Sequence, residues 1–540
     1  MGSQHAAEDA IAVVGMGPRG LGALEALAER LCETGGRMTV HVYEPFHAPG
    51  AGPNFDPDES PLCLLNIPHR DNAIRPPSFS TVGPFADWLG GRPDPDAFPE
   101  RAALGRYLQA RFDDLRRTGV LDIRIMPHRV ASLRRLEGDW VLITEDGSAG
   151  RHREVLLTLG QPATRPDNQL ADWQAHAADG RAIVAQAYPA AALQAEAGAW
   201  AGRTVAIRGL ALSCFDVLRV LSAGQGGRFT ADGYRPSGKE PAQILPFSLD
   251  GHPPFPKPLT EAHDARFTPL DTETRTFAET LSRAVTLDPD GLRAAVSDAL
   301  TPVAHRILHA MGASASDTDV AEWLDTEWHD PGSQERGSAL DILHEGLALA
   351  TGTMPPTIGY AVGQVWRKWQ DEIRIGFNRV YHAPETARAL LGFDESLKRY
   401  SYGPPVSAVR EMLALVACGL VDLSCAADPE IALTPDGWRL NDSPASVMID
   451  AVLPAPDLGM LAAPLVAGLM DQHILHPRAD GLGADTAADG SLLDTDHRRA
   501  PGLCLLGRLA LGSVIAADSL HDCFGASSRR WAEGVLRRRG

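Results

Sequence analysis

The residues of this chain best placed to do chemistry are glycines near its start. Ala12-Val13-Val14-Gly15-Met16-Gly17-Pro18-Arg19-Gly20 joins a short apolar run to helix-forming residues through glycines at positions one, three and six of the motif. In such a pattern Gly15 makes the turn, Gly17 lets the backbone approach a pyrophosphate, and Gly20 lets the helix lie close to the sheet. The N–H groups that open the helix face the phosphates, so no basic side chain is needed for that contact. Pro18 suits the first helical turn, where a missing N–H costs little, and Arg19 shares that turn. A second apolar run, Met38 to Tyr43, ends in Glu44, 24 residues after Gly20. An acid there accepts the hydroxyls of an adenosine ribose. Triplet, strand, helix and terminal acid together point to a dinucleotide.

The rest of the chain must position that turn. With 540 residues, two or three domains are expected. The composition, 44% hydrophobic and 22% charged with a mean hydropathy of -0.13, is that of a soluble globular protein. A formal charge of -19 argues against nucleic acid or an anionic membrane as partner. The seven cysteines include no C-x-x-C pair, and no apolar leader or membrane-length run is present, so a reducing cytoplasm is the expected location. Nothing in the sequence sets an oligomeric state.

Beyond Glu44 the chain enters a Gly- and Pro-rich stretch that reads as an ordered covering loop. Phe79 to Leu89 reads as a short helix and Pro99 to Leu115 as a longer one, with Leu104, Tyr107, Leu108 and Phe112 on one face. Three strand-like pieces between 121 and 144 form an antiparallel excursion, and Glu154 to Gly160 returns as a strand. Thr204 to Val217 repeats strand, turn and helix.

Several of these pieces resemble the FAD/NAD(P)-binding oxidoreductase family with an N-terminal extended Rossmann domain, distantly related to flavin-dependent N-hydroxylating monooxygenases. They are Val14 to Gly20, Leu65-Asn66-Ile67-Pro68, Leu104-Gly105-Arg106-Tyr107, Leu157-Thr158-Leu159-Gly160, Val205 to Asp216 and Gly403-Pro404-Pro405. The resemblance implies an α/β, two-dinucleotide-binding-domain flavoprotein with Rossmann-like lobes and a mostly helical insertion. The implied division is 8–165 for the first part of the FAD lobe, 200–255 for a second nucleotide lobe, and 260–380 for a helical substrate or lid domain. Residues 400–455 return through the lobes, and 500–540 complete the FAD lobe.

By the same resemblance FAD is held by Gly15, Gly17, Pro18, Arg19, Gly20, Glu44, Asn66, Arg106 and Gly160. The closing residues Gly507, Arg508, Gly512, Ser513 and Val514 would meet the flavin, the last three through backbone N–H groups. Arg508 stands where the pattern has an acid. Gly209, Ala211 and Ser213 form the second turn, where Ala211 and Cys214 replace glycines; it is either a degraded NADH or NADPH site or a structural relic. Relatives tend to carry basic residues after the Ser248 position, and this chain has Leu249 and Asp250, which favours NADH.

His521 is the candidate catalytic acid or base. Trp366 and Trp369, within Trp-Arg-Lys-Trp, and Tyr402 are candidates to line a substrate pocket. His305 and His309 have helical ligand spacing but no third partner, so no metal is expected. The reading is an FAD enzyme that takes hydride from a nicotinamide and transfers oxygen from O2 to a small amine or amino-acid-like metabolite. A flavin oxidase or dehydrogenase without nicotinamide, and a non-catalytic flavin-holding scaffold, are the alternatives.

Overall fold

A computed structural model describes residues 10–72, 74–91 and 93–539. The strands of its two main sheets are, in chain order, β1 (Ala10–Val14), β2 (Met38–Tyr43), β3 (Leu121–Met126), β4 (Glu154–Leu157), β5 (Ile183–Gln186), β6 (Thr204–Arg208), β7 (Gln243–Phe247), β8 (Val447–Asp450), β9 (Ser491–Leu493) and β10 (Arg499–Leu505).

The first sheet has the order β9-β10-β4-β1-β2-β3, parallel throughout except for β9. All five residues of β1 are buried, as a central parallel strand covered on both faces demands. Helix α1 (Pro18–Thr34) follows β1, buries Leu21, Leu24, Leu27 and Leu31, and ends at Gly35 in the left-handed conformation. Helix α2 (Arg101–Arg117) buries the face expected from its spacing. A Cβ on Gly105 would collide with the Phe55 carbonyl, so the glycine sets how closely α2 meets the covering loop. Of the three pieces expected as an antiparallel excursion the first is β3, which pairs in parallel with β2; the excursion itself forms from Val130–Leu136, Asp139–Thr144 and Ala149–His152. The helix expected over 79–89 shrinks to Phe85–Trp88. Gly83 has φ +76 and precedes a proline, a position that disfavours helix.

The second sheet, β7-β6-β8-β5, is wholly parallel. Its edge strand β5 precedes residue 200, so this lobe begins earlier than its glycine turn suggests. Helix α3 (Leu212–Leu221) follows β6. The strand expected over 420–425 makes only an isolated bridge, Val421 to Ile244.

Between the lobes, helices from Glu261 to Ser401 share one core that includes Phe277, Leu300, Ile307, Trp366 and Tyr400. Its later members are α4 (Gln370–Phe377) and α5 (Pro384–Ser401), so the helical block passes 380. The last helix, α6 (Ala526–Arg539), packs back on α1. Among the described residues no helix is long and apolar enough to cross a membrane.

Candidate functional site

The site is built on the carboxyl ends of β1, β2, β4 and β10, where open α/β sheets place ligands. Gly15 leaves β1 with φ +92, and a Cβ there would collide with the Thr158 carbonyl. A Cβ on Gly20 would lie 2.6 Å from the Gly15 carbonyl oxygen and 3.2 Å from Thr158 Oγ1. Thr158 Oγ1 itself donates to the Gly15 carbonyl at 2.5 Å and ties β4 to the turn. Gly17 caps α1 with ordinary extended angles and no side-chain bond, and Pro18 follows as the first helical residue. The first N–H groups of α1 therefore have no side-chain cap.

Glu44 is buried against this turn. Its Oε2 accepts from the Met16 N–H at 2.5 Å and its Oε1 from the Phe46 N–H at 2.7 Å. A carboxylate has about four acceptor sites, which leaves room for ribose hydroxyls. The covering loop comes down on the same turn: the Gly50 N–H donates to the Met16 carbonyl at 2.6 Å, and Gly52 faces Gly17. Gly160, with φ +63, opens onto empty space at the end of β4.

Arg19 takes a different part from the one expected. Its Nη1 pairs with Asp522 Oδ2 at 2.7 Å, and its Nη2 donates to the Ala517 carbonyl at 2.7 Å. This nearly buried guanidinium clamps α1 to the closing segment rather than facing a phosphate; only its Nε, beside Gly507, lacks a partner. Arg106 is exposed on α2 and donates to the Pro57 carbonyl at 3.1 Å, outside the cradle. Asn66 enters through its backbone: its carbonyl accepts from Lys257 Nζ at 2.6 Å.

The closing turn also departs from expectation. The N–H groups of Gly512, Ser513 and Val514 are all bonded within it, to the carbonyls of Val514, Ala510 and Ala510. Ser513 Oγ faces backwards, accepting from the Thr486 N–H and donating to the Ala484 carbonyl. Those N–H groups are not available to a flavin here. The turn is anchored from the helical block: Asn378 Oδ1 accepts from the Ile515 N–H at 2.9 Å.

Arg508 meets its acid ten residues on. Its Nη1 lies 3.6 Å from Asp518 Oδ2, which Lys398 Nζ also approaches at 3.3 Å. Burial pulls the Asp518 carboxyl upward, but Lys398 and Arg508 outweigh it and hold the group below its ordinary value. Tyr402 sits over this cluster, with Lys398 and Lys257 5.8 and 5.9 Å from its ring centre. Burial first, then Asp518, push its phenol upward. Of the three expected substrate residues, Tyr402 alone stands among functional groups.

Trp366 and Trp369 are instead core residues. Both are fully buried; Trp366 Nε1 donates to Asp394 at 2.8 Å and Trp369 Nε1 to Thr274 at 3.0 Å, while Trp369 stacks on Phe277 at 4.0 Å. The basic residues between them turn to acids: Arg367 pairs with Asp71 and Asp264, and Lys368 with Asp264.

His521 is half-buried, and its Nε2–H donates to the Asp71 carbonyl at 3.0 Å. Burial, reinforced by the Arg374 charge, lowers its pKa, so the ring is neutral at pH 7 and Nδ1 carries the basic lone pair. Lys257 is a residue the motifs did not mark. It is 4% exposed and bridges the carbonyls of Asn66 and Gly403, where burial, then Arg367, lower it to about 7. Its only sequence signal is a lone lysine inside Pro254-Phe255-Pro256-Lys257-Pro258.

In the second lobe Gly209 has φ +110, and Ala211 caps α3 in extended backbone with its side chain exposed; Ser213 is half-buried in the first turn. Cys214 is buried, and burial pushes its thiol up to about 12. Arg208, at the end of β6, is held by Asp167 at 2.5 Å and Asp450 at 3.4 Å.

The first lobe fits a flavin dinucleotide: Gly15 and Gly20 admit no Cβ, the start of α1 is uncapped, and a carboxylate stands at the end of β2. Residues 12–162 match the FAD-NAD(P)-binding family. The chain is an FAD-dependent oxidoreductase. Over 97% of its length this oxidoreductase is 26% identical to an L-aspartate N-monooxygenase (nitrosuccinate-forming) of Streptomyces davaonensis, of which the match covers 95%. It is 32% identical to a nitrosuccinic acid synthase of Aspergillus oryzae over 43% of the chain, spanning 38% of that protein. Its fold is shared with the FAD-bound cadaverine monooxygenase of the desferrioxamine pathway from Erwinia amylovora, with TM-score 0.50, 13% identity, and 99% and 94% of the two chains covered. In the oxidoreductase the turn from Gly15 to Gly20 and Glu44 would hold the adenosine half of FAD, with Gly160 and Gly507 toward the flavin half. When bound, FAD supplies the two-electron chemistry that no side chain here provides.

Proposed function

We propose that this oxidoreductase is a monooxygenase that uses NADH and O2 to oxygenate the nitrogen of a small acidic amino acid, aspartate or a close analogue. The observation that carries the reading is the 26% identity to an L-aspartate N-monooxygenase along 97% of this chain. The side chains suit it. An amino acid carries its nitrogen as an ammonium at neutral pH, and it becomes a nucleophile only on losing a proton. His521, neutral with Nδ1 basic, is the group to take that proton. Lys398 and Arg508 around Asp518 supply fixed charge beside Tyr402.

NADH is preferred to NADPH in this reading. Asp250, held by Ser248 Oγ at 2.8 Å just beyond β7, would repel a 2′-phosphate, and Arg208 is already engaged by two acids. The seven cysteines, none in a disulfide, suit a reducing cytoplasm.

The test is anaerobic reduction of the FAD-loaded protein by NADH and by NADPH, followed by air, aspartate and mass analysis of the product. The reading requires bleaching that is faster with NADH and a nitrogen-oxygenated product formed only with O2. Cys214 in place of a glycine favours a second reading, an oxidase that takes hydride from its own substrate. Bleaching by substrate alone, with neither coenzyme active, would select it.

A further inference from the structure

A cavity of about 260 Å³ lies between α4, residues 74–75 and residues 521–530. That volume is just below the ~300–1,000 Å³ of drug-sized ligand sites and suits a metabolite of a few carbons. In a chain of net charge -19 its charged lining is mostly cationic: Arg75, Arg374, Arg529 and Arg530 against Asp371 and Asp522. Both acids are already committed. Asp371 Oδ1 accepts from Arg374 Nη2 at 2.7 Å, and Asp522 is held by Arg19 at 2.7 Å and by Ser527 Oγ at 3.0 Å.

Arg374 is the telling residue. It is 8% exposed, yet its Nη1 is buried without any partner. A buried guanidinium donor left unbonded is costly unless something else accepts from it. Arg530 makes its hydrogen bonds to uncharged groups. Its Nε donates to the Ala488 carbonyl at 2.7 Å and its Nη2 to Ser527 Oγ at 3.1 Å, both neutral acceptors, and burial lowers its pKa. His521 lines the same cavity.

We infer that this cavity is a carboxylate-binding pocket in which Arg374 and Arg530 hold the side-chain carboxylate of an acidic amino acid, with His521 on its wall. The inference rests on the acidic substrate class proposed above. Planar guanidinium groups match carboxylates through paired N–H donors, and His521 would then stand near the nitrogen of a molecule so held.

Succinate tests the pocket without turnover, because it has both carboxylates and no nitrogen. Its binding to the FAD-loaded protein would be measured by calorimetry and by the flavin absorbance change. Arg374→Gln and Arg530→Gln are each expected to weaken it about tenfold or more, with partial retention in Arg374→Lys. The exposed Arg529→Gln should weaken it several-fold, and Arg283→Gln, at an exposed position outside the cavity lining, should change nothing. Inorganic phosphate should bind far more weakly than succinate. Succinate binding that is absent in the wild type, or unchanged in the Arg374, Arg529 and Arg530 variants, overturns the inference; so does phosphate binding as tight as succinate. Arginine-dependent succinate binding without aspartate oxygenation would sink the proposed function and leave the pocket. Aspartate oxygenation that succinate inhibits equally in every variant would do the reverse.

Discussion

The first lobe passes from strand to helix through Gly15, Gly17 and Gly20, and the second through Gly209, Ala211 and Cys214. Their first residues are alike, with φ +92 and +110, because a turn this tight needs the left-handed region whatever it binds. The second residues are alike in backbone as well. Gly17 has φ -82 and ψ -166, Ala211 φ -97 and ψ -158, and both are open to any residue. A Cβ on Gly17 would meet protein only at Gly52 Cα, at an ordinary 3.8 Å. What Gly17 reserves is therefore room for something that is not protein. At the third position the lobes part. Gly20 allows α1 to come within reach of the Gly15 carbonyl, whereas Cys214 places a buried thiol at the corresponding position of α3. The two turns share a backbone path and differ in the side chains that line it.

Gly15→Val should have the largest effect. Positive φ and a collision with Thr158 together cost about 3 kcal/mol or more, and the purified protein should come out without flavin absorbance. Its counterpart Gly209→Val should destabilise comparably yet retain flavin; loss of flavin from both would erase the distinction between the lobes. Next comes Glu44→Gln. An amide has one acceptor oxygen where the carboxylate serves two N–H groups, and losing one charge-assisted bond of ~1.5–3 kcal/mol should weaken FAD binding roughly 10- to 100-fold by titration.

Lys257 joins the first lobe at Asn66 to the segment that re-enters the second at Gly403, and its effect is in pH. It titrates at about 7 when folded and near the ordinary ~10.4 when unfolded. Between those values the unfolded chain binds the extra proton, so stability should rise as pH goes from 7 toward 10. Lys257→Met should flatten that rise in thermal unfolding midpoints. The smallest effect is expected from Cys214→Gly, which should lower the KM for NADH several-fold and leave FAD affinity unchanged. An unchanged KM would make the second turn a relic.

Much of this was legible in the sequence. The turn at Gly15, the acid at Glu44 and the buried face of α2 all follow from local spacing. Trp366 and Trp369 show how a composition cue misleads. Trp366, on the helix Ile358–Lys368, and Trp369, the residue that caps it, continue the buried row of Val362 and Val365, and that periodicity outweighs the basic residues between them. Arg106 carried a family pattern but is exposed, and its guanidinium is taken up by the Pro57 carbonyl of the loop against which Gly105 packs and by Glu100.

Local residue patterns set the strand–turn–helix of each lobe, since the sterics of a left-handed glycine and the periods of strand and helix act over a few residues. Long-range packing is what makes Arg19 clamp Asp522, Asn378 hold the turn at Ile515, Lys257 lie buried between two carbonyls, and Arg374 face a cavity beside His521. Each of these joins residues more than a hundred positions apart, and the charge, burial or partner of such a group is set by neighbours that no local pattern specifies.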